Sequence, residues 1–336
     1  MKTLSAEKKH IFLRASLCDK CNFKCQYCAT DLGMENHTPV CMKAPLLSAG
    51  QYVANLRLLA KHGFHIISFT GGEPLLNPDF PYIAKECRKL FDTIEITTNA
   101  TMLEEYMEVV KKYIDVLKIS VDAVDKNLAV AISGNPKAAD TLSIVEACCK
   151  AGIKTIGLNF VYMKQNKAEL PKLVQFAKQM KEQYGTELYI SVLDLYYSRG
   201  NHDFWKEQFI NLVQLREDLA KEGWQINRRE RIGCDSYYFI WDGIRVNMKD
   251  SLSRTHRAEM CETCEEYCQE GIYSLKHSAS GWLSACPSNN PQLGKLLSGY
   301  ADDDEAHDTI DYFVELLNQI RQADDTGRHF LEARGL

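Results

Sequence analysis

Leu13-Arg14-Ala15-Ser16-Leu17-Cys18-Asp19-Lys20-Cys21-Asn22-Phe23-Lys24-Cys25-Gln26-Tyr27-Cys28 is the stretch on which the reading of this chain turns. An apolar, strand-like run ends at Ser16, and Cys21, Cys25 and Cys28 follow as a CxxxCxxC triplet on a loop. Three closely spaced thiolates suit an iron–sulfur cluster, in which each holds one iron. A [4Fe–4S] cluster has four irons, so three cysteines leave one open to another ligand. The rival is zinc, since Cys18 with Cys21 and Cys25 with Cys28 make two CxxC pairs and four thiolates are a structural zinc set. Zinc pairs usually stand about a dozen or more residues apart, whereas only Asn22, Phe23 and Lys24 separate these.

With 336 residues, 45% of them hydrophobic, and a net charge of −5, the chain has length for one large domain and a smaller one. Lys and Arg are scattered, and the cluster Arg228-Arg229-Glu230-Arg231 is interrupted by an acid, so neither nucleic acid nor an anionic membrane is expected as a partner. The first ten residues hold no apolar core of a signal peptide and no run long enough to span a bilayer, which places the protein in the cytoplasm. Thirteen cysteines in such a chain read as metal ligands and free thiols, not as a disulfide framework. Seven fall in two groups, Cys21/Cys25/Cys28 and Cys261/Cys264/Cys268/Cys286. Cys87, Cys148 and Cys149 read as small core residues, and Cys18, Cys41 and Cys234 stay open.

From residue 11 to about 225, short apolar runs alternate with amphipathic stretches, the pattern of repeated βα units and a parallel sheet. The strands are expected at 11–16, 66–69, 93–97, 116–120, 156–161 and 188–193, and the helices at 49–62, 80–90, 102–113, 138–151, 170–184 and 203–222. Six units fit an α/β fold of the partial (β/α)6 barrel type, with chemistry at the C-terminal strand ends. Periodicity alone also fits an open doubly wound sheet, but the polar motifs all fall at such ends. Thr70-Gly71-Gly72-Glu73-Pro74 follows the second strand, Thr97-Thr98-Asn99 ends the third and Ser120-Val121-Asp122 ends the fourth. Two glycines let a backbone approach a ligand, and the acid can accept from an amino group. The polar residues at the later strand ends could equally cap helices.

The CxxxCxxC loop after the first strand and the Gly-Gly-Glu-Pro element after the second together resemble the radical S-adenosylmethionine (SAM) superfamily. That resemblance implies a [4Fe–4S] cluster on Cys21, Cys25 and Cys28 whose open iron chelates SAM. One electron, from a donor such as flavodoxin or ferredoxin, then cleaves SAM to a 5′-deoxyadenosyl radical that abstracts hydrogen from the substrate. It also implies that Gly71, Gly72 and Glu73 bind the SAM amino group, that Ser120 contacts SAM, and that Tyr27 lies near the adenine. Thr98 and Asn99 complete the expected cofactor-binding set.

After about residue 225 the βα rhythm stops, and Cys-, Gly- and Tyr-rich short strands follow. Cys261, Cys264, Cys268 and Cys286, spaced x2, x3 and x17, form a second metal set, for which a structural zinc is the rival of an iron–sulfur cluster. Next to a first cluster, the segment resembles the twitch auxiliary-cluster domain of radical SAM proteins. The expected domains are a barrel over 1–225, an auxiliary domain over 226–300 and a helical tail over 301–336.

The overall resemblance is to the GTP cyclase family of molybdenum-cofactor synthesis, over residues 11 to about 297. Arg14 matches that family's pattern. Its arginine before the Gly-Gly-Glu-Pro element is Ser68 here, its fifth-strand lysine is Gly157, its arginines after the auxiliary CxxC become Glu266 and Cys268, and its C-terminal Gly-Gly is Gly335-Leu336. A triphosphate without basic partners is left uncompensated. The expectation is therefore a radical SAM enzyme of this architecture acting on a small molecule or peptide side chain other than GTP. The GTP cyclase itself and a non-catalytic metal-binding protein are the alternatives. A ligating Cys268 would close the auxiliary cluster. Cys234, or no fourth ligand, would serve if it does not.

Overall fold

The computed structural model describes residues 12–28, 45–197, 201–229, 236–249, 256–258, 261, 271–286, 294–297, 303–319 and 321–322. Six parallel strands run β1 (Phe12–Ser16), β2 (Ile66–Thr70), β3 (Thr93–Thr98), β4 (Val116–Ser120), β5 (Thr155–Tyr162) and β6 (Glu187–Asp194), neighbours in space as in sequence. Between them come α1 (Ala49–Lys61), α2 (Phe80–Cys87), α3 (Leu103–Tyr113), α4 (Lys126–Ser133), α5 (Thr141–Lys150) and α6 (Leu170–Tyr184).

Each element has a local cause. In α6, Pro171 sits in the first turn, Leu173, Val174, Ala177 and Met180 form a buried stripe, and Gly185 ends the helix in the left-handed conformation. In β4, Leu117 and Ile119 are buried while Val116, Lys118 and Ser120 take the other face. The same parity holds across the sheet. Leu13, Ala15, Ile67, Phe69, Ile94, Ile96, Ile156, Leu158, Ile190 and Val192 are buried in the apolar core. Arg14, Ser68, Glu95, Lys118, Gly157 and Tyr189 take the opposite face. One apolar face packed by helices and one polar face describe a barrel wall, whereas a doubly wound sheet needs apolar surface on both sides.

Sequence reading found all six strands to within one residue at either end, but it ran some helices together. The stretch 138–151 begins as a 3-10 turn at Pro136–Asp140 before α5 starts. The stretch 203–222 breaks into α7 (His202–Gln208) and α8 (Leu212–Lys221), where Asn211 Oδ1 caps the Val213 and Gln214 N–H groups. Helix α4, held between Asp125 as N-cap and a left-handed Gly134, was not expected.

Most of the later strands extend the barrel sheet, and one two-stranded ribbon pairs apart from it. Three more strands lie at one end of the barrel sheet: β7 (Asn227–Arg229), β8 (Ser236–Trp241) and β9 (Ile244–Lys249). The turn Asp242-Gly243, both residues at positive φ, joins β8 to β9, and β9 then pairs in parallel with β6. A two-stranded ribbon apart from the main sheet pairs β10 (His256–Arg257) with β14 (Arg321–Gln322). β11 (Ser274–His277) pairs in parallel with β1, and β12 (Trp282–Ser284) and β13 (Gly294–Leu296) continue outward. The outer strands of a partial barrel have unpaired backbone edges, which these segments satisfy. Helix α9 (Asp304–Gln319) buries Ile310, Phe313, Val314 and Leu317. It meets the end of α1 where His62 bonds Asp311 Oδ1 at 3.0 Å and His307 Nδ1 at 2.8 Å. Among the described residues no helix is long and apolar enough to cross a membrane.

Candidate functional site

The loop after β1 is held on three sides. Gly72 N–H donates to the Cys18 carbonyl at 2.7 Å and Glu73 N–H to the Lys20 carbonyl at 2.8 Å. Such an approach leaves no room for side chains: a Cβ at Gly72 would run into the Lys20 carbonyl and one at Gly71, whose φ is +144°, into that of Cys18. On the far side, Lys24 and Gln26 N–H groups donate to the Ser133 and Ile132 carbonyls, both at 2.9 Å, at the end of α4. Asn22 Nδ2 bonds Thr101 at 2.7 Å, and its backbone oxygen accepts from Asn135 Nδ2 at 2.7 Å.

These contacts bring Cys21, Cys25, Tyr27, Cys28, Gly71, Gly72, Glu73, Thr98, Asn99 and Ser120 to the wall of one solvent-open cavity of about 850 Å³. Every residue expected in the barrel's site is among its lining. Thr70, Thr97, Asp122 and Ser133 line it too. Cys18 is not part of that wall: its Sγ accepts Lys20 N–H at 3.3 Å. Among the described residues no three His, Cys, Asp or Glu side chains converge closely enough for a single metal ion. Three thiols lining one cavity could each hold a different iron of one cluster.

Glu73 is buried, and burial pushes its carboxyl above the usual range against the pull of its hydrogen bonds. Thr98 Oγ1 donates to Oε1 at 2.6 Å, Leu75 N–H donates to the same oxygen at 3.1 Å, and Asn99 N–H donates to Oε2 at 2.7 Å. Two oxygens offer about four acceptor sites, so Oε2 keeps capacity for an amino group. Asn99 Nδ2 also reaches Asn22 Oδ1 at 2.7 Å and Cys21 Sγ at 3.8 Å. The next residue, Ala100, is buried at φ 72°, a strained conformation for a non-glycine residue beside a site.

Asp122 was legible as part of a polar strand end but was not singled out. It accepts from the Tyr27 hydroxyl at 2.7 Å and from Val161 N–H at 3.1 Å. Burial lifts its carboxyl to about 6, opposed by those two donors. Burial also raises the Cys25 thiol and the Tyr27 phenol, with the Asp122 charge adding to both.

Of the second cysteine set, Cys286 is buried just beyond β12, where Ser284 Oγ accepts its N–H at 3.2 Å, and Cys261 is half-buried. Cys264, Cys268, Cys41, Cys234, Glu266 and Gly335-Leu336 lie outside the described residues. Cys87, Cys148 and Cys149 are buried free thiols, as their helical positions suggested.

Residues 16–177 match the family model of the radical SAM superfamily. A GTP 3′,8-cyclase of Actinobacillus pleuropneumoniae is 29% identical over 224 residues, which cover 66% of this chain and 63% of that enzyme. The chain therefore spans under two thirds of that relative's length. A probable GTP 3′,8-cyclase of Methanococcus maripaludis is 23% identical over 321 residues, covering 95% of this chain and 92% of that one. Among solved structures, SuiB of Streptococcus suis bound to S-adenosylmethionine shares the fold at a TM-score of 0.53 and 18% identity, covering 83% of this chain and 62% of SuiB.

Proposed function

We propose that this chain, whose residues 16–177 form a radical SAM domain, binds SAM against a [4Fe–4S] cluster held by Cys21, Cys25 and Cys28 and takes a hydrogen atom from a substrate on the helix-free face of its barrel. The observation that supports this most is the meeting, in one cavity, of the three thiols with the Gly71-Gly72-Glu73 turn and the polar ends of β3 and β4. When bound, the cluster and SAM would supply the 5′-deoxyadenosyl radical. The protein's own part is binding and orientation. Glu73 Oε2 would accept from the SAM amino group, Ser120 would reach SAM from the end of β4, and Tyr27, fixed by Asp122, would form the wall beside the adenine.

Both cyclase relatives carry GTP 3′,8-cyclase in their names, so cyclisation of GTP is the reaction the comparisons favour, ahead of the non-GTP substrate expected from the sequence. One observation supports that second reading. Gly157, where the cyclase resemblance implies a lysine, is covered by the Tyr189 ring, and a Cβ there would stand 2.6 Å from Tyr189 Cζ. Cys261 and Cys286, with Cys264 and Cys268, would hold an auxiliary cluster.

Anaerobic incubation of cluster-reconstituted protein with SAM, dithionite and GTP deuterated on its ribose tests both readings. Formation of 5′-deoxyadenosine establishes radical SAM chemistry, and deuterium in it assigns GTP as substrate. Deoxyadenosine without deuterium favours another substrate, and none at all overturns the proposal. Two clusters predict about eight irons per chain, and replacement of Cys21, Cys25 and Cys28 by Ala should remove about half.

A further inference from the structure

The helix-free face carries two buried donors that no described residue accepts from. Arg245 Nε on β9 and Trp282 Nε1 on β12 are both buried without a hydrogen-bond partner. An unsatisfied buried donor is costly, and in native proteins it usually has a partner that the protein itself does not supply. The register puts both on the helix-free side of the sheet that Ser120 shares, outside the lining of the cofactor cavity itself. Lys118 stands beside Gly157, Gly157 beside Tyr189 and Tyr189 beside Arg245, all sharing the side of Ser120. At the other end, Arg14 stands beside Lys276 and Lys276 beside Ser284, with Trp282 two residues further on the same side.

Arg245 is the more telling of the two. Its guanidinium lies over the Tyr189 ring, 4.9 Å from the centroid. That ring in turn covers Gly157, where any side chain would displace it. Lys118, by contrast, is neutralised by Glu95. Among the described residues no carboxylate pairs with Arg245. A guanidinium set against an aromatic ring, with its Nε unpartnered and no carboxylate beside it among the described residues, suits an oxyanion that arrives from outside.

We infer that Arg245, positioned by Tyr189 over Gly157, anchors an anionic oxygen group, a phosphate or a carboxylate, of the substrate, and that the Trp282 indole N–H donates to the same molecule from the opposite wall. The inference rests on the radical SAM reading for the word substrate, but the binding it describes is measured without turnover. It assigns specificity to β9 and β12, strands outside the six that build the cofactor cavity.

The test is calorimetry on full-length, cluster-reconstituted protein with SAM present, using GTP, inorganic pyrophosphate and citrate as probes. The wild type should bind at least one, more weakly as salt rises. Arg245→Gln should weaken that binding about tenfold or more, as loss of a charge-assisted hydrogen bond does. Trp282→Phe, which keeps a ring over Gly294, should weaken it several-fold. Iron content and SAM affinity should not change in either variant. Preference for the first two probes marks a phosphate and for citrate a carboxylate. Absence of binding by all three, or equal affinity in wild type and Arg245→Gln, overturns the assignment. If Arg245→Gln loses iron, Arg245→Lys decides: it keeps the charge without the fork, and wild-type affinity there also counts against the assignment. Failure of the radical reading shows separately, as wild type that binds an anion but yields no 5′-deoxyadenosine.

Discussion

The Tyr27 hydroxyl donates to Asp122 Oδ2 at 2.7 Å, tying the cysteine loop to the end of β4 across 95 residues of chain. The other carboxylate oxygen is held by Val161 N–H from β5, so one buried acid joins the loop to two strands. Tyr27→Phe leaves that carboxylate with one donor fewer, a loss of about 1–3 kcal/mol for a buried charged acceptor. SAM affinity should fall about tenfold while iron content is kept, as calorimetry and iron assay would show. Asp122→Asn, which can still accept from Val161 N–H, should fall less. Wild-type affinity in Tyr27→Phe would remove Tyr27 from the SAM site.

Glu73 offers a second measurement, because its oxygens already serve three donors. Glu73→Gln puts an amide N–H where Thr98 or Asn99 now donates, so a donor faces a donor. Glu73→Ala removes the acceptor and leaves the Asn99 N–H buried and unpaired. Both variants should bind SAM at least tenfold more weakly, with Gln no better than Ala, on the same cost of an unmade buried bond. A Gln variant that binds like wild type would show that the carboxylate charge is not used.

Gly72→Ala tests the loop rather than the cofactor. A Cβ there collides with backbone of Lys20 and Cys21, which cannot yield as a flexible side chain would. The loop must shift, and with it Cys21 and Cys25. The variant should fold, by circular dichroism, yet retain clearly less iron after anaerobic reconstitution than wild type. Full iron would mean that the loop tolerates displacement and that its fit against Gly71-Gly72 is not what places the thiols.

What the sequence made legible was the part set by local rules. Alternation in runs such as Val116–Ser120 marks strands, and the CxxxCxxC, Gly-Gly-Glu and strand-end polar residues gather in one cavity because successive parallel strands bring their C-terminal ends together. Three things were not legible. Asn211 breaks a helix through a side-chain cap that looks like any surface asparagine. The pairing of β11 with β1 and β9 with β6 joins segments far apart in the chain, and no local pattern encodes which edge a strand will meet. Arg245 belongs to no motif, and only its register beside Tyr189 shows which side of the sheet it takes.

The pairing of β11 with β1 also sets a pH dependence. His277 stands opposite Ala15 on the helix-packed side of the sheet, fully buried, with its ring edge-on to Tyr52 at 4.6 Å between centroids. Its Nε2 lies 3.0 Å from Asn55 Nδ2, an amide that can only donate, so Nε2 must accept and the ring is neutral. Burial lowers its pKa to about 3 from an ordinary value near 6.5. The depressed value fixes the sign: below pH 6.5 the unfolded chain binds a proton that the folded chain refuses until about pH 3. His277 therefore contributes stability that is fully present above pH 6.5 and is lost as pH falls through that window, with a limiting slope of about 1.4 kcal/mol per pH unit. Between pH 6.5 and pH 5 the loss should reach roughly 1.5–2 kcal/mol. His277→Gln cannot titrate and can still accept from Asn55, so its stability at neutral pH should be lower but its decline over this window flatter. Guanidinium unfolding of both proteins at pH 6.5 and 5 gives the comparison, and parallel declines would show that the folded protein admits the proton.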